Sequence, residues 1–308
     1  QGEGAPIHDP TTEEIIATST TRGLDFAGAM THARRVGLAA LTKLTYAERA
    51  ERLDGFAKAL HAKRDELLEL ATRSGGNTRS DAKFDVDGAT GTLAYYATLG
   101  RELGAKKFLT DGDMFQLLRS PRYVGQHVLV PRRGVAVHIN AFNFPAWGMC
   151  EKLAVAFLAG LPVIVKPATS TAPLTVRMLE LMLESGHVLP GTVSLIAGSA
   201  GDLLDHLGPQ DVLAFTGSAS TAWMLREKRS IIENSVRFNV EADSLNAAVL
   251  GPDAKHGSDA YDLFLREVVK DMTQKAGQKC TAIRRVLVPR DRVNEVCEHL
   301  AEQLKAIK

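Results

Sequence analysis

The chain is 308 residues long, enough for about two domains at ~100 to 200 residues each. Its 37 basic and 36 acidic residues nearly cancel, which argues against the broad positive surface that attracts nucleic acid or an anionic membrane and leaves small-molecule chemistry as the default. No apolar run reaches transmembrane length, and the polar start through Thr12 lacks the basic and apolar regions of a signal peptide, so a cytoplasmic setting is expected.

Residues 23–75 alternate apolar and charged positions at helical spacing, which predicts two or three amphipathic helices. A further helix is expected over 81–103, after the Gly75-Gly76 break, with Tyr95 and Tyr96 as packing residues. The segment 123–130 alternates as a strand does and ends at Pro131-Arg132-Arg133, so residues 123–133 are expected to form an exposed ribbon used in self-association. Short apolar runs at 134–139, 161–165, 193–197 and 212–215 are then separated by helix-like stretches at 149–159 and 171–183. Strands alternating with helices at this spacing predict an α/β fold with a Rossmann-like parallel sheet covered on both faces. Ligands of such sheets sit at the carboxyl ends of the strands. From Ala247 a new α/β unit is expected: a strand at 247–250, a helix at 259–275, a strand at 285–288 and a helix at 290–308. The division is therefore 1–246 for a dinucleotide-binding domain and 247–308 for the start of a second domain.

Several residues carry possible chemistry. The three cysteines, Cys150, Cys280 and Cys297, are odd in number and widely spaced, which fits neither a disulfide framework nor a zinc cluster. Cys280 follows Gly277, with Lys275, Lys279, Arg284 and Arg285 nearby to favour a thiolate. Glu241 ends the run Phe238-Asn-Val240 and suits a partly desolvated general base, with Asp243 as its substitute. Asn143, in Ile139-Asn-Ala-Phe-Asn-Phe-Pro-Ala-Trp147, lies where a rigid loop would aim its amide at a developing oxyanion. Taken singly, these read more readily as a buried thiol, a solvated strand end and a turn asparagine. Lys166, in Lys166-Pro-Ala-Thr169, follows an apolar strand where a ribose or phosphate would lie. Phe215-Thr216-Gly217-Ser218 is a strand-to-helix turn suited to a pyrophosphate. There is no GxGxxG, HExxH, GxSxG, Walker A or EF-hand pattern, and His138 and His206 read as packed or surface histidines. No metal site is expected.

Together, Asn143-Phe-Pro145, Lys166-Pro-Ala168, Phe215-Thr-Gly-Ser218, Glu241 and Gly277-Gln-Lys-Cys280 resemble, in order, the motifs of the aldehyde dehydrogenase superfamily. The resemblance covers nearly the whole chain and implies the aldehyde dehydrogenase fold, with 247–308 as an incomplete catalytic domain. It implies that Cys280 attacks an aldehyde, that Asn143 and the Cys280 amide stabilise the oxyanion, and that Glu241 activates water. Lys166, Thr169, Phe215, Thr216, Gly217, Ser218 and Ala242 would hold the dinucleotide. Thr169 stands where many NAD-preferring members place a glutamate, so NADP is expected, with NAD possible. Ala222 replaces a frequent glycine after the Phe-Thr-Gly-Ser turn.

Longer matches, His138-Ile-Asn-Ala-Phe-Asn-Phe-Pro145, Val240-Glu-Ala-Asp-Ser-Leu-Asn246 and Ala276-Gly-Gln-Lys-Cys-Thr-Ala-Ile-Arg-Arg285, resemble a bacterial branch of the family. Its members oxidise an aldehyde on a ring-opened CoA thioester in phenylacetate or benzoyl-CoA degradation. The phenylacetate substrate, 3-oxo-5,6-dehydrosuberyl-CoA semialdehyde, is placed first. The alternatives are 3,4-dehydroadipyl-CoA semialdehyde, a CoA-acylating enzyme, and a non-catalytic dinucleotide-binding fragment. Members of the family run longer than this chain, so a fragment of a longer, homo-oligomeric protein is expected.

Overall fold

The computed structural model describes residues 4–307. The chain divides into two compact units, one through Ala242 and one from Asp243.

In the first unit the chain opens with an antiparallel hairpin, β1 (Ala5–His8) and β2 (Ile15–Ser19). The expected two or three helices over 23–75 are five segments: Phe26–His32, a π-helical turn Ala33–Gly37, Leu38–Lys43, Tyr46–Ala62 and Arg64–Gly75. Tyr46–Ala62 starts on a capping box in which Thr45 and Glu48 satisfy each other's backbone amides. Thr78 caps Arg79–Leu103, and Gly76, with φ of +62°, closes the helix before it. Tyr95 on this helix is 65% exposed and not the core packing residue expected, its ring meeting that of Tyr96 edge to face.

The ribbon pairs β3 (Leu109–Gln116) with β4 (Val124–Leu129), antiparallel. Only its second strand is legible as alternation. In Leu109-Thr-Asp-Gly-Asp-Met-Phe-Gln116 the period of two is broken by an irregularity between Asp111 and Phe115, with Gly112 at φ +70°.

The central sheet contains β5 (Ala136–Ile139), β6 (Val163–Lys166), β7 (Val193–Leu195), β8 (Val212–Gly217) and β9 (Arg237–Ala242). All pairs are parallel, in the order β7-β6-β5-β8-β9. The chain therefore builds outward from β5 to β7, then returns to lay β8 on the other side of β5. The strand order reverses between β5 and β8, and open α/β sheets take their ligands at the carboxyl ends of the strands at such a reversal.

Alternate residues of the strands enter two cores. Ala136, Val163 and Val165 join the core of the helices Tyr46–Ala62, Arg79–Leu103, Pro145–Leu158 and Ala172–Glu184. Val137, Ile164, Leu213 and Phe215 join the opposite core with Phe26, Met30 and Leu225. The helix expected to begin at 149 begins at Pro145, because proline fits the first helical position, where no N–H is needed.

The second unit pairs β10 (Ala247–Val249) with β11 (Arg285–Leu287) in parallel. The helices Asp259–Thr273 and Val293–Lys305 pack beside them around Tyr261, Leu265 and Val296.

Candidate active site

In the first unit, the candidate residues gather along one edge of the sheet. Asn143 follows β5, Lys166 ends β6, Thr216 and Gly217 end β8, and Glu241 and Ala242 end β9. Asn143 is 7% exposed, held in a short segment between the Asn140 amide, which donates to the Lys166 carbonyl at 3.0 Å, and the start of the helix at Pro145. Lys166 is half-buried, its ammonium donating to the Pro167 carbonyl at 3.1 Å, and burial holds its amine below the usual lysine range. A partly desolvated cation of this kind is suited to a phosphate or ribose oxygen.

Ser218 is the N-cap of Ala219–Arg226. Its hydroxyl accepts the Thr221 amide at 3.2 Å, so its first task is to end the turn. Phe215 is buried and points away from the edge into the core. A Cβ on Gly217 would lie 2.5 Å from the Phe215 ring, so the turn requires glycine there. Ala222 is buried in the same core. Thr169 opens the short turn Thr169–Thr171 just past β6. These features fit a dinucleotide: a strand reversal, a capped helix start and a partly desolvated lysine, all at the carboxyl edge of the sheet.

Glu241 is exposed, not desolvated as expected from its flanking residues. The register pairs Thr216 with Glu241, and the Thr216 hydroxyl donates to Glu241 Oε2 at 3.4 Å. Both line a groove of about 840 Å³ together with His138, Trp147, Glu151 and Lys152. Glu151 and Lys152 are groove residues that no sequence motif marks. The signal lay in the spacing of 147, 151 and 155, which puts Trp147, Glu151 and Val155 on one side of a helix that is otherwise apolar. His138 is buried and its imidazole is held neutral, with a pKa pushed down to about 3 by burial and then by the Lys152 charge. That state agrees with its reading as a packed histidine.

In the second unit, Cys280 is partly exposed. Its carbonyl accepts from the Asn246 amide at 3.2 Å, which ties the cysteine loop to the start of β10. The turn before it is left-handed at three successive residues, Lys275, Ala276 and Gly277, with φ of 60°, 51° and 74°. Two of these are not glycine, so the loop holds backbone strain. The basic surroundings expected for Cys280 are partly compensated. Lys279 pairs with Asp271, whose other oxygen accepts the Ile283 amide, and Arg284 donates to the Gly277 and Lys279 carbonyls. The remaining cysteines differ. Cys150 is fully buried, and burial followed by the Asp85 charge pushes its thiol well above the usual range, while Cys297 is exposed on Val293–Lys305. Among the described residues no group of three or more His, Cys, Asp or Glu is placed to hold a metal ion.

The aldehyde dehydrogenase family profile matches residues 1–308. The chain belongs to the aldehyde dehydrogenase family. It is 50% identical over 288 residues to the 3,4-dehydroadipyl-CoA semialdehyde dehydrogenase of Aromatoleum evansii, which covers 94% of this chain and 56% of that protein. It is 26% identical to the D-glyceraldehyde dehydrogenase (NADP(+)) of Picrophilus torridus, over 100% of this chain and 59% of the relative. Among solved structures, lactaldehyde dehydrogenase from Escherichia coli superposes with a TM-score of 0.87 at 21% identity, over 100% of this chain and 62% of that one. The fold is that of the family. The chain spans a little over half the length of these relatives. Of the two CoA-linked substrates expected from the sequence, the name of the 50% identical relative matches the one placed second.

Among the described residues, no helix is long and apolar enough to cross a membrane.

Proposed function

We propose that this protein oxidises an aldehyde to a carboxylic acid, with NADP as the preferred hydride acceptor and a CoA-linked semialdehyde of the 3,4-dehydroadipyl type as substrate. The observation that carries the reaction class is the common edge shared by Asn143, Lys166, the Thr216-Gly217 turn and Glu241, in a chain of this family that also holds Cys280. The substrate rests on the 50% identity to the Aromatoleum evansii enzyme, which sets it ahead of the phenylacetate-derived semialdehyde.

In this reading the Cys280 thiolate adds to the aldehyde carbon, and the carbonyl π electrons move to oxygen. The Asn143 amide donates a hydrogen bond to that oxyanion, where a fixed donor acts most strongly. Lys166, Thr169 and the Phe215–Ser218 turn hold the dinucleotide, which when bound accepts the hydride. Cys280 is left as a thioester. Glu241 then takes a proton from water, the hydroxide adds to the thioester carbon, and the thiolate departs as the acid forms. Because Thr169 places no carboxylate beside the ribose, an added 2′-phosphate meets no repulsion there. Glu241 also distinguishes this chemistry from transfer of the acyl group to free CoA, since a water-activating base has no task in that reaction. The ribbon of β3 and β4, with Met114, Phe115, Val124, Val128 and Leu129 exposed, supports self-association.

Single-turnover NADPH formation with the CoA-linked semialdehyde tests the assignment. The wild type should give a burst, Cys280→Ala none, and Glu241→Gln one turnover that ends as a covalent acyl adduct on Cys280 visible by mass. A burst that survives Cys280→Ala would overturn the mechanism. Acid release that requires added CoA would establish acyl transfer instead. Binding of NADP with no turnover of any aldehyde would leave a non-catalytic dinucleotide-binding protein.

A further inference from the structure

Asp85 lies on the helix Arg79–Leu103 and is wholly buried. Its Oδ1 accepts the backbone N–H of Trp147 at 2.8 Å and its Oδ2 that of Ala146 at 3.3 Å. These amides belong to the first turn of the helix Pro145–Leu158, where N–H groups lack intrahelical acceptors. The local residue at the cap position is Phe144, which makes no side-chain cap, and Pro145 has no N–H to offer. A carboxylate on a different helix therefore does what a serine or aspartate at the cap position does elsewhere, with its charge at the positive end of the helix dipole. Burying a carboxylate is costly unless it is hydrogen-bonded. The fold accepts that cost at the one turn that follows Asn143.

The neighbouring side chains hold the same turn. Phe84, Phe144 and Trp147 meet edge to face, with ring centroids 5.4 to 6.2 Å apart. Gly88, one helical turn after Phe84, leaves the space that the Trp147 indole fills, since a Cβ there would lie 2.4 Å from the ring. One side of Arg79–Leu103 thus grips residues 144–147. The other end of the loop is tied by the Asn140 amide to the Lys166 carbonyl.

We propose that Asp85 is a positioning residue for the Asn143 amide, fixing the direction in which the chain leaves the oxyanion-donor loop. The assignment rests on the reading of Asn143 as that donor. Its contribution is geometric. Releasing the Ala146 and Trp147 amides lets the loop shift, and a displacement of about 1 Å at a reacting group costs up to ~100-fold in rate.

A double-mutant cycle on the full chain tests this. Single-turnover hydride transfer and NADP affinity are measured for wild type, Asp85→Ala, Asn143→Ala and the double variant. Asp85→Asn, which keeps one acceptor oxygen, serves if the alanine variant fails to fold. Asn143→Ala should lower the rate ~100- to 1,000-fold. Asp85→Ala should lower it ~10- to 100-fold with NADP affinity unchanged, Asp85→Asn less, and neither change should add more than about threefold once Asn143 is alanine. Equal losses in both backgrounds would overturn the proposal. Hydrogen exchange at the Ala146 and Trp147 amides is read without any aldehyde, and unchanged protection in Asp85→Ala would also overturn it. Absence of turnover in the wild type would sink the functional reading instead, and is distinguished by exchange that still depends on Asp85.

Discussion

Thr169 and His138 show how single side chains set properties that can be measured apart from the reaction. In the proposed reading Thr169 stands where a carboxylate would repel the 2′-phosphate, so Thr169→Glu should move the preference from NADP toward NAD by ~10-fold or more in the ratio of kcat/KM, a change of about 1.4 kcal/mol. An unchanged ratio would mean that another residue reads the ribose. For His138 the folded state resists protonation, its pKa standing near 3 against an ordinary 6.5 because burial and the Lys152 charge oppose the imidazolium. Below pH 6.5 the unfolded chain takes up a proton that the folded chain refuses. Stability is thus full above that pH and falls at up to about 1.4 kcal/mol per pH unit as pH drops toward 3. Asp87 beside Arg64 and Glu66 beside Arg177 have lowered pKa values, from ordinary ones of 3.8 and 4.5, so they retain their contribution until more acid conditions. Urea unfolding at pH 6.5 and pH 5 should therefore show wild type losing about 1.5 kcal/mol more than His138→Gln. Equal losses would mean that the folded protein accommodates the charged ring.

At the scale of elements, the sheet depends on polar anchors at its amino ends as much as on apolar strands. Asp211 is 1% exposed, just before β8. It accepts the Val135 amide at 2.7 Å and the Gly208 amide at 2.7 Å, and it pairs with Arg34 from the π-helical turn. One carboxylate so joins the entries of β5 and β8, the two strands between which the strand order reverses. Asp211→Ala strands two amides and removes the ion pair of Arg34, which keeps its bond to the His206 carbonyl, and should lower unfolding stability by about 2 to 4 kcal/mol, read as a shift of the urea midpoint at constant slope. A loss under ~1 kcal/mol would show that water replaces the carboxylate. The anchor of Asp85 at Pro145–Leu158 works in the same manner at the carboxyl edge: a side chain remote in sequence completes the end of an element that cannot complete itself.

At the scale of the whole molecule, a two-stranded ribbon is marginal alone in water, and β3 with β4 carries exposed Met114, Phe115, Val128 and Leu129. A second copy of the chain would bury such a surface. Sedimentation should show an oligomer that Val128→Asp shifts toward the monomer, and an oligomer indifferent to that change would place the contact elsewhere.

The amino-acid sequence by itself determined the alternation of strands and helices, the parallel sheet and the order of the site motifs. Each of these is written in local period or in contiguous residues: Val135 to Ile139, Val163 to Lys166 and Phe215 to Ser218 are readable without knowing what they touch. The first hairpin, the π-helical turn and β3 were not legible, because a register irregularity, a left-handed glycine and polar strand residues erase the period. Tertiary structure alone decided the exposure of Glu241, the compensation of Lys279 by Asp271, and the entry of His138 and Lys152 into one groove. It also brought Asp85 to the helix that follows Asn143. Burial, charge pairing and capping across elements depend on which chain segments meet, and segment meeting is set by packing of the two cores, which no window of sequence contains.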